Sequence, residues 1–260
     1  MTWHTLSLRT DPRGVAYLTL NAPDRRNVLS PQMISELTEA AHALGSNPSI
    51  RVVVLAGAGP VFCAGGDLDW MAAQIDADRP QRLREARKLA EMLRALNELP
   101  KPLVGRLHGG AFGGGIGLAC VCDVAVAAPG TRFCFSETRL GIIPATIGPY
   151  VLARMGEGRA RRVFMSARVF EAGEAETLGL VARVVPDAGL DAAIEAEVAP
   201  YLSCAPLAVA QAKALARALG PRIDDAVIDD SIRRLADAWE GPEAIQGIRA
   251  FLDKRPPPWA

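Results

Sequence analysis

Phe62-Cys63-Ala64-Gly65-Gly66-Asp67 and Ala111-Phe112-Gly113-Gly114-Gly115 decide the fold of this chain. Each glycine turn follows an apolar run that reads as a buried strand. Arg51-Val52-Val53-Val54-Leu55-Ala56 precedes the first and Leu103-Val104-Gly105-Arg106-Leu107 the second. Each turn leads into a helical pattern, and repeated strand–turn–helix units point to an α/β core. A glycine turn that opens a helix leaves backbone N–H groups without partners and aimed outward. Two such turns can aim two donors at one oxygen, the geometry that stabilises an oxyanion in acyl chemistry.

Outward from these turns the pattern stays regular. Residues 3–10 and 14–21 alternate apolar and polar around the turn Asp11-Pro12-Arg13-Gly14, which predicts an opening hairpin. Ser30-Pro31 reads as an N-cap with proline at the first helical position, and Met33, Leu37, Ala40, Ala41 and Leu44 give that helix one buried face, ended by Gly45-Ser46-Asn47-Pro48. Asp76 to Glu98 reads as a charged helix with Leu89, Met92, Leu93 and Leu96 on one side, its first part around 76–80 a mobile surface loop. A short apolar helix follows over 116–122, then strands over 123–128 and 131–135 and helices over 149–155 and 157–166. Leu180-Val181-Ala182-Arg183-Val184-Val185 is expected to be the last strand. Beyond Pro186 the pattern is helical alone, over 189–202, 204–219, 222–239 and 242–253. The expected division is a core over 1–195 and a helical region over 196–260 that packs on its own core or reaches a neighbouring subunit.

The chain has 260 residues, half of them hydrophobic, enough for one large core. Lys plus Arg equals Asp plus Glu, 29 against 29, so no basic stripe announces nucleic acid or an anionic membrane. Five cysteines, an odd number in apolar or glycine-rich surroundings, do not make a disulfide framework and fit a reducing cytosol. Cys120-Val121-Cys122 lacks the second ligand pair that structural zinc needs, so no metal site is expected and these thiols read as small hydrophobes. The N-terminus has no basic leader followed by an apolar stretch, and no run of about 18 apolar residues appears, so neither a signal peptide nor a membrane span is expected. The expected compartment is the cytoplasm.

Beyond these local patterns, Cys63-Ala64-Gly65-Gly66-Asp67-Leu68, Gly109-Gly110-Ala111-Phe112-Gly113-Gly114-Gly115-Ile116-Gly117-Leu118 with Cys122-Asp123, and Phe135-Ser136-Glu137-Thr138-Arg139-Leu140-Gly141-Ile142-Ile143-Pro144 together resemble the signatures of the enoyl-CoA hydratase/isomerase (crotonase) superfamily. The segments Ser166-Ala167-Arg168, Gly179-Leu180-Val181 and the terminal Phe251-Leu252-Asp253-Lys254-Arg255-Pro256-Pro257 match in the same order, from about residue 5 to the end. The resemblance implies a crotonase-type spiral of ββα units, with C-terminal helices that build a homotrimer or a hexamer of paired trimers. It also implies a coenzyme A thioester whose carbonyl sits in an oxyanion hole made by the backbone N–H groups of Gly66 and Gly114. Charge pushed onto the thioester oxygen would be held there by fixed donors, with the helix opened at Gly114 adding its positive end. Glu137, after an apolar strand and in an otherwise uncharged stretch, is the acid–base candidate, against the alternative of a salt bridge to Arg139.

Arg25, Arg26 and Val28 fall where the family covers the nucleotide phosphates, Ala64 and Leu68 flank its adenine and pantetheine path, and Lys254 reaches toward a phosphate. No cofactor is implied beyond the coenzyme A of the substrate. Gly117 stands where the best-known hydratases carry a second glutamate, so the attacking water needs another anchor, such as backbone groups or a second water in the space Gly117 leaves. Two further activities therefore stay open beside hydration: Δ3–Δ2 enoyl-CoA isomerisation through one glutamate, and acyl-CoA binding without turnover.

A narrower resemblance, carried by Asp67-Leu68-Asp69-Trp70-Met71 and by Ile143-Pro144-Ala145 with Pro149-Tyr150-Val151, is to bacterial hydratases of 3-methylglutaconyl-CoA and isohexenylglutaconyl-CoA. It implies a branched or carboxylated acyl group with a cation nearby. Arg82, Arg84, Arg87 and Lys88 lie on the helix that borders the acyl pocket in this family, and the sequence alone leaves open which of them faces it. His4, His42 and His108 have no evident nucleophile partner and read as structural, while Trp70 and Met71 read as pocket or core lining.

Overall fold

The computed structural model describes residues 3–260. Its strands are β1 (Leu6–Thr10), β2 (Val15–Leu20), β3 (Val52–Gly57), β4 (Leu103–Leu107), β5 (Gly110–Phe112), β6 (Val124–Ala127), β7 (Arg132–Cys134), β8 (Phe170–Glu171) and β9 (Arg183–Val184). Its helices are α1 (Pro31–Ser46), α2 (Leu68–Ile75), α3 (Arg79–Glu98), α4 (Gly114–Val121), α5 (Gly148–Met155), α6 (Glu157–Phe164), α7 (Ala172–Thr177), α8 (Leu190–Leu202), α9 (Pro206–Leu219), α10 (Asp225–Glu240) and α11 (Pro242–Leu252). This is the expected α/β fold.

Six strands form the main sheet in the order β1-β2-β3-β4-β6-β9. The β1–β2 hairpin is antiparallel, Leu6 opposite Leu20, and every later pairing is parallel. Val53 and Leu55 of β3 face the core shared with α1 and α3, while Val52 and Val54 face α8 through Leu190, Ile194 and Val198. A parallel strand covered on both faces needs such a continuous apolar run. Ser30 caps α1 by accepting from the Met33 amide at 3.2 Å, with Pro31 opening the helix.

A second sheet, β5-β7-β8, lies beyond the main one. It explains one departure from expectation: the second glycine turn does not follow β4 directly. The chain leaves β4, adds the three-residue strand β5 beside β7, and only then turns into α4. Gly110-Ala111-Phe112 is too short and glycine-rich to announce a strand by periodicity. Two other expectations are corrected. The loop expected around 76–80 is confined to 76–78, because α3 already starts at Arg79, capped by Asp78 on the Gln81 amide at 2.7 Å. The last strand is only Arg183–Val184, since Leu180 and Val181 belong to the turn leaving α7 and are buried in the core.

The C-terminal helices do not stand apart. Ile228, Ile232, Leu235 and Trp239 of α10 share one apolar cluster with Met71 of α2 and with Ala86 and Ala90 of α3. Arg79 of α3 pairs with Asp237 and Glu240 of α10 at 2.7 Å each, and Arg87 and Arg94 pair with Asp229 and Asp225. Helix α8 runs unbroken through residue 195 and packs on the main sheet. Cys63, Cys120, Cys122 and Cys134 are buried, whereas Cys204 is exposed. Among the described residues no helix is long and apolar enough to cross a membrane, and no cluster of His, Cys, Asp and Glu is placed to hold a metal.

Candidate active site

The two glycine turns are stitched to one another. The Cys63 amide donates to Gly110 O at 3.1 Å, and the Phe112 amide returns to Cys63 O at 3.0 Å. The approach is so close that glycine is required at Gly65, where φ is +90° and a Cβ would lie 2.6 Å from Phe112 O. Leu29 completes the frame by donating its amide to Gly65 O at 2.7 Å. Among the described residues neither the Gly66 nor the Gly114 amide has a hydrogen-bond acceptor. Gly114 is the first residue of α4, a helix buried from Gly115 to Val121, so its free N–H carries the positive end of that helix.

Gly66 and Gly114 both line one cavity of about 200 Å³, together with Ala64, Gly65, Gly113 and Glu137. Glu137 begins a 3-10 turn just beyond β7. Its Oε1 sits where a Cβ on Gly113 would come within 2.8 Å, and its Oε2 is buried with no hydrogen-bond partner. Arg139 does not pair with it, because its guanidinium donates to Ala167 O at 2.8 Å. Burial, offset only in part by a hydrogen bond from its own backbone amide, pushes the Glu137 carboxyl from 4.5 to about 7. A carboxyl that titrates near neutrality, beside two unpaired amides, can take a proton and give it back.

The other expected residues divide. Leu68, Trp70 and Met71 line the cavity, and Leu235 and Trp239 of α10 close it. Arg25, Arg26, Val28 and Lys254 lie outside it. Arg25 is half exposed and its Nη2 is held by Asp67 at 3.0 Å and Asp69 at 2.7 Å, while the Arg26 carbonyl accepts from the Ala64 amide at 3.0 Å. The Val28 amide donates to Arg25 O at 3.3 Å, which keeps this loop folded against the first turn. Lys254 is exposed, one residue beyond the C-cap of α11.

The space expected at Gly117 is filled. A Cβ there would lie 2.5 Å from Ile147 Cγ2 and 3.5 Å from Leu93 Cδ2. No second acid and no water fits at that point. The nearest hydroxyl to this plug in the sequence is Thr146, which lines the same cavity, is 6% exposed and among the described residues has no hydrogen-bond partner.

Two positions that matter to this geometry escaped the sequence reading. Asn27, fully buried with φ +52°, donates through Nδ2 to Ala58 O at 2.8 Å and Val61 O at 3.0 Å and accepts from the Ala22 amide at 3.0 Å. It thereby ties the Arg25–Val28 loop to the first turn; its type, common in left-handed turns, was the only signal. Asp67, 2% exposed, accepts from the Asp69 amide at 2.8 Å and the Trp70 amide at 3.3 Å, capping α2 and fixing the peptide that follows Gly66. Its place just before a helical pattern was legible as a cap.

Two free main-chain amides at glycine turns that lead into helices thus share one cavity with a carboxyl that titrates near neutrality. The chain belongs to the enoyl-CoA hydratase/isomerase family, whose model matches residues 10–260, and it is an enzyme of the crotonase superfamily. The crystal structure of an enoyl-CoA hydratase from Shewanella pealeana is 36% identical, with a TM-score of 0.81, covering 98% of this chain and 96% of that one. Pseudomonas aeruginosa AtuE is 40% identical with a TM-score of 0.78, covering 99% and 100% of the two chains. The enoyl-CoA hydratase AKT6-1 of Alternaria alternata is 31% identical over 92% of this chain and 78% of its own length.

Proposed function

We propose that the protein adds water across the α,β double bond of an enoyl-CoA. The observation that carries this reading is Glu137: its Oε2 buried without a hydrogen bond and its carboxyl raised to about 7, in the cavity that Gly66 and Gly114 also line. The thioester oxygen accepts from both amides. Water attacks the β-carbon, and ionised Glu137 takes the proton that water releases. The electron pair of the double bond moves onto the thioester oxygen, whose developing charge the two amides hold without reorganisation. Glu137 then returns its proton to the α-carbon, the enolate collapses, and the carboxylate is regenerated. With the Gly117 position plugged by Ile147, the Thr146 hydroxyl is the second anchor for the water.

Coenzyme A would lie over the Arg25–Val28 loop and along Ala64 and Leu68, with Lys254 toward a phosphate. The free N–H groups of Arg25, held in place by Asp67 and Asp69, suit a phosphate oxygen. A short or branched acyl group, such as the 3-methylglutaconyl group implied by the narrower resemblance, suits a cavity of this size. Leu207, Leu215 and Leu219 of α9, each at least 60% exposed, are the natural contact for further copies of the chain in a homotrimer or hexamer.

Ile147 also favours a second reading. A site with one acid and no second carboxylate can move a proton between the α- and γ-carbons, which is Δ3–Δ2 isomerisation. Product analysis on crotonyl-CoA and on 3-hexenoyl-CoA separates the two. Hydration predicts 3-hydroxybutyryl-CoA from the first; formation of 2-hexenoyl-CoA from the second, with no hydration of either, assigns the isomerase.

A further inference from the structure

The cavity at Glu137 has an outer and an inner end. Leu68, Ile143 and Phe251 are exposed and mark its mouth, whereas Met71, Leu140, Ile142, Leu235 and Trp239 are buried and line its inner part. Trp239 of α10, 2% exposed, is the largest of these inner side chains. It also belongs to the apolar cluster that joins α10 to α2 and α3.

What lies behind Trp239 decides whether the ring can yield. Arg82 of α3, 9% exposed, places its guanidinium 5.6 Å from the ring centre, within reach of a cation–π contact. That cation is pinned. Its Nε donates to Gln74 O at 3.0 Å and its Nη2 to Ile75 O at 3.1 Å, the carbonyls of the last two residues of α2. A buried guanidinium pushed off those carbonyls would lose its partners, which opposes any retreat of the ring. The helix that carries the ring is fastened at the same level, because Arg79 of α3 pairs at 2.7 Å with both Asp237 and Glu240, which flank Trp239 in the chain. The side wall offers no exit for an alkyl chain either. Glu85 stands in it with its carboxylate paired to Lys88 at 2.7 Å, and a chain forced past that pair would strip its water. At about 30 Å³ per heavy atom, the share of liquid volume that one water takes, a cavity of about 200 Å³ holds about seven atoms, which is a hexanoyl group.

We infer that Trp239, held in place by Arg82, ends the acyl subsite and limits it to chains of about six carbons. This rests on the acyl-CoA reading of the cavity and names the chain length that the cavity takes; Trp239 touches the acyl group, and Arg82 is a positioning residue behind it. The test uses saturated thioesters, which bind without reacting, so it is independent of whether the chemistry is hydration or isomerisation. Butyryl-, hexanoyl-, octanoyl- and decanoyl-CoA are titrated calorimetrically into the wild type, Trp239→Leu and Arg82→Met, with circular dichroism to check the fold of each variant. Two methylenes that enter an apolar site strengthen binding by about tenfold. The wild type should show that gain from butyryl- to hexanoyl-CoA and none beyond. Trp239→Leu should extend it to octanoyl-CoA, raising the octanoyl-to-hexanoyl ratio of affinities by about tenfold. In Arg82→Met the ring is present but no longer held, and the same ratio should rise severalfold; a merely structural role for Arg82 would weaken all four thioesters alike. A wild-type affinity that keeps rising to decanoyl-CoA overturns the assignment whether or not the variants fold, and so does a folded Trp239→Leu protein with the wild-type profile. Equal weakening of all four thioesters in Arg82→Met removes the role of Arg82. Failure of the wild type to bind any of them refutes the acyl-CoA reading itself.

Discussion

Replacing Glu137 by glutamine keeps the shape of the side chain and removes its ability to titrate. In the folded protein its carboxyl holds a proton up to about pH 7, against 4.5 in the absence of burial. The difference corresponds to about 3 kcal/mol of stability. Its sign follows from which state binds the proton: between 4.5 and about 7 the folded protein keeps it while the unfolded chain has released it. Stability from this group is therefore fully present below 4.5 and is lost as pH rises through about 7. Glu137→Gln escapes the loss. The variant and the wild type should melt alike near pH 4.5, while at pH 8 the variant should be the more stable by about 3 kcal/mol, or about 6 °C in Tm. Calorimetric melting of both proteins from pH 4.5 to 8 reads this directly. The same substitution should lower kcat on crotonyl-CoA by about 10² to 10⁴-fold, with the affinity for butyryl-CoA unchanged. Wild-type kcat/KM should fall on the acid side with an apparent pKa of about 7, because the ionised form does the work. A Tm difference that does not vary with pH refutes the burial argument, and a variant with full turnover refutes the catalytic one.

Gly113→Ala should cost at least about 10²-fold in kcat, measured by the loss of enoyl absorbance, because the new methyl group meets Glu137 Oε1 at 2.8 Å on a backbone with φ +46°. Thr146→Val, nearly the same in volume, should lower kcat for hydration by about tenfold and leave the binding of butyryl-CoA unaltered. Isomerisation of 3-hexenoyl-CoA, which needs no water, should be spared if it occurs at all. Equal loss in both reactions would remove the water-anchoring role from Thr146.

The meeting of the two glycine turns was legible because glycine is needed at Gly65 for a reason the sequence exposes: turns pressed against each other leave no room for a Cβ. Helix α1 was legible down to its cap, since Ser30, Pro31 and the apolar stripe all agree. Strand β5 was not, because three residues carry no period and its pairing with β7 is set by the tertiary fold. The start of α3 was hidden by Pro80, which reads as a breaker but sits in the first turn behind the Asp78 cap, where proline is welcome. Gly117 misled most. An absent side chain reads as empty space in a sequence, and only the fold brings Ile147, thirty residues later, into it. The roles of Arg82, Arg84, Arg87 and Lys88 were likewise invisible, since these four cations look alike until α10 claims Arg87, the end of α2 Arg82, and Glu85 Lys88.

Crotonyl-CoA turned over in deuterated water tests the central claim most directly. One acid that shuttles the proton between water and the α-carbon, beneath an enolate held by two amides, predicts 3-hydroxybutyryl-CoA with a single deuterium at C2 from the wild type and none of this product from Glu137→Gln. Recovery of unchanged crotonyl-CoA from the wild type, or a deuterated product that forms equally fast in the variant, contradicts it.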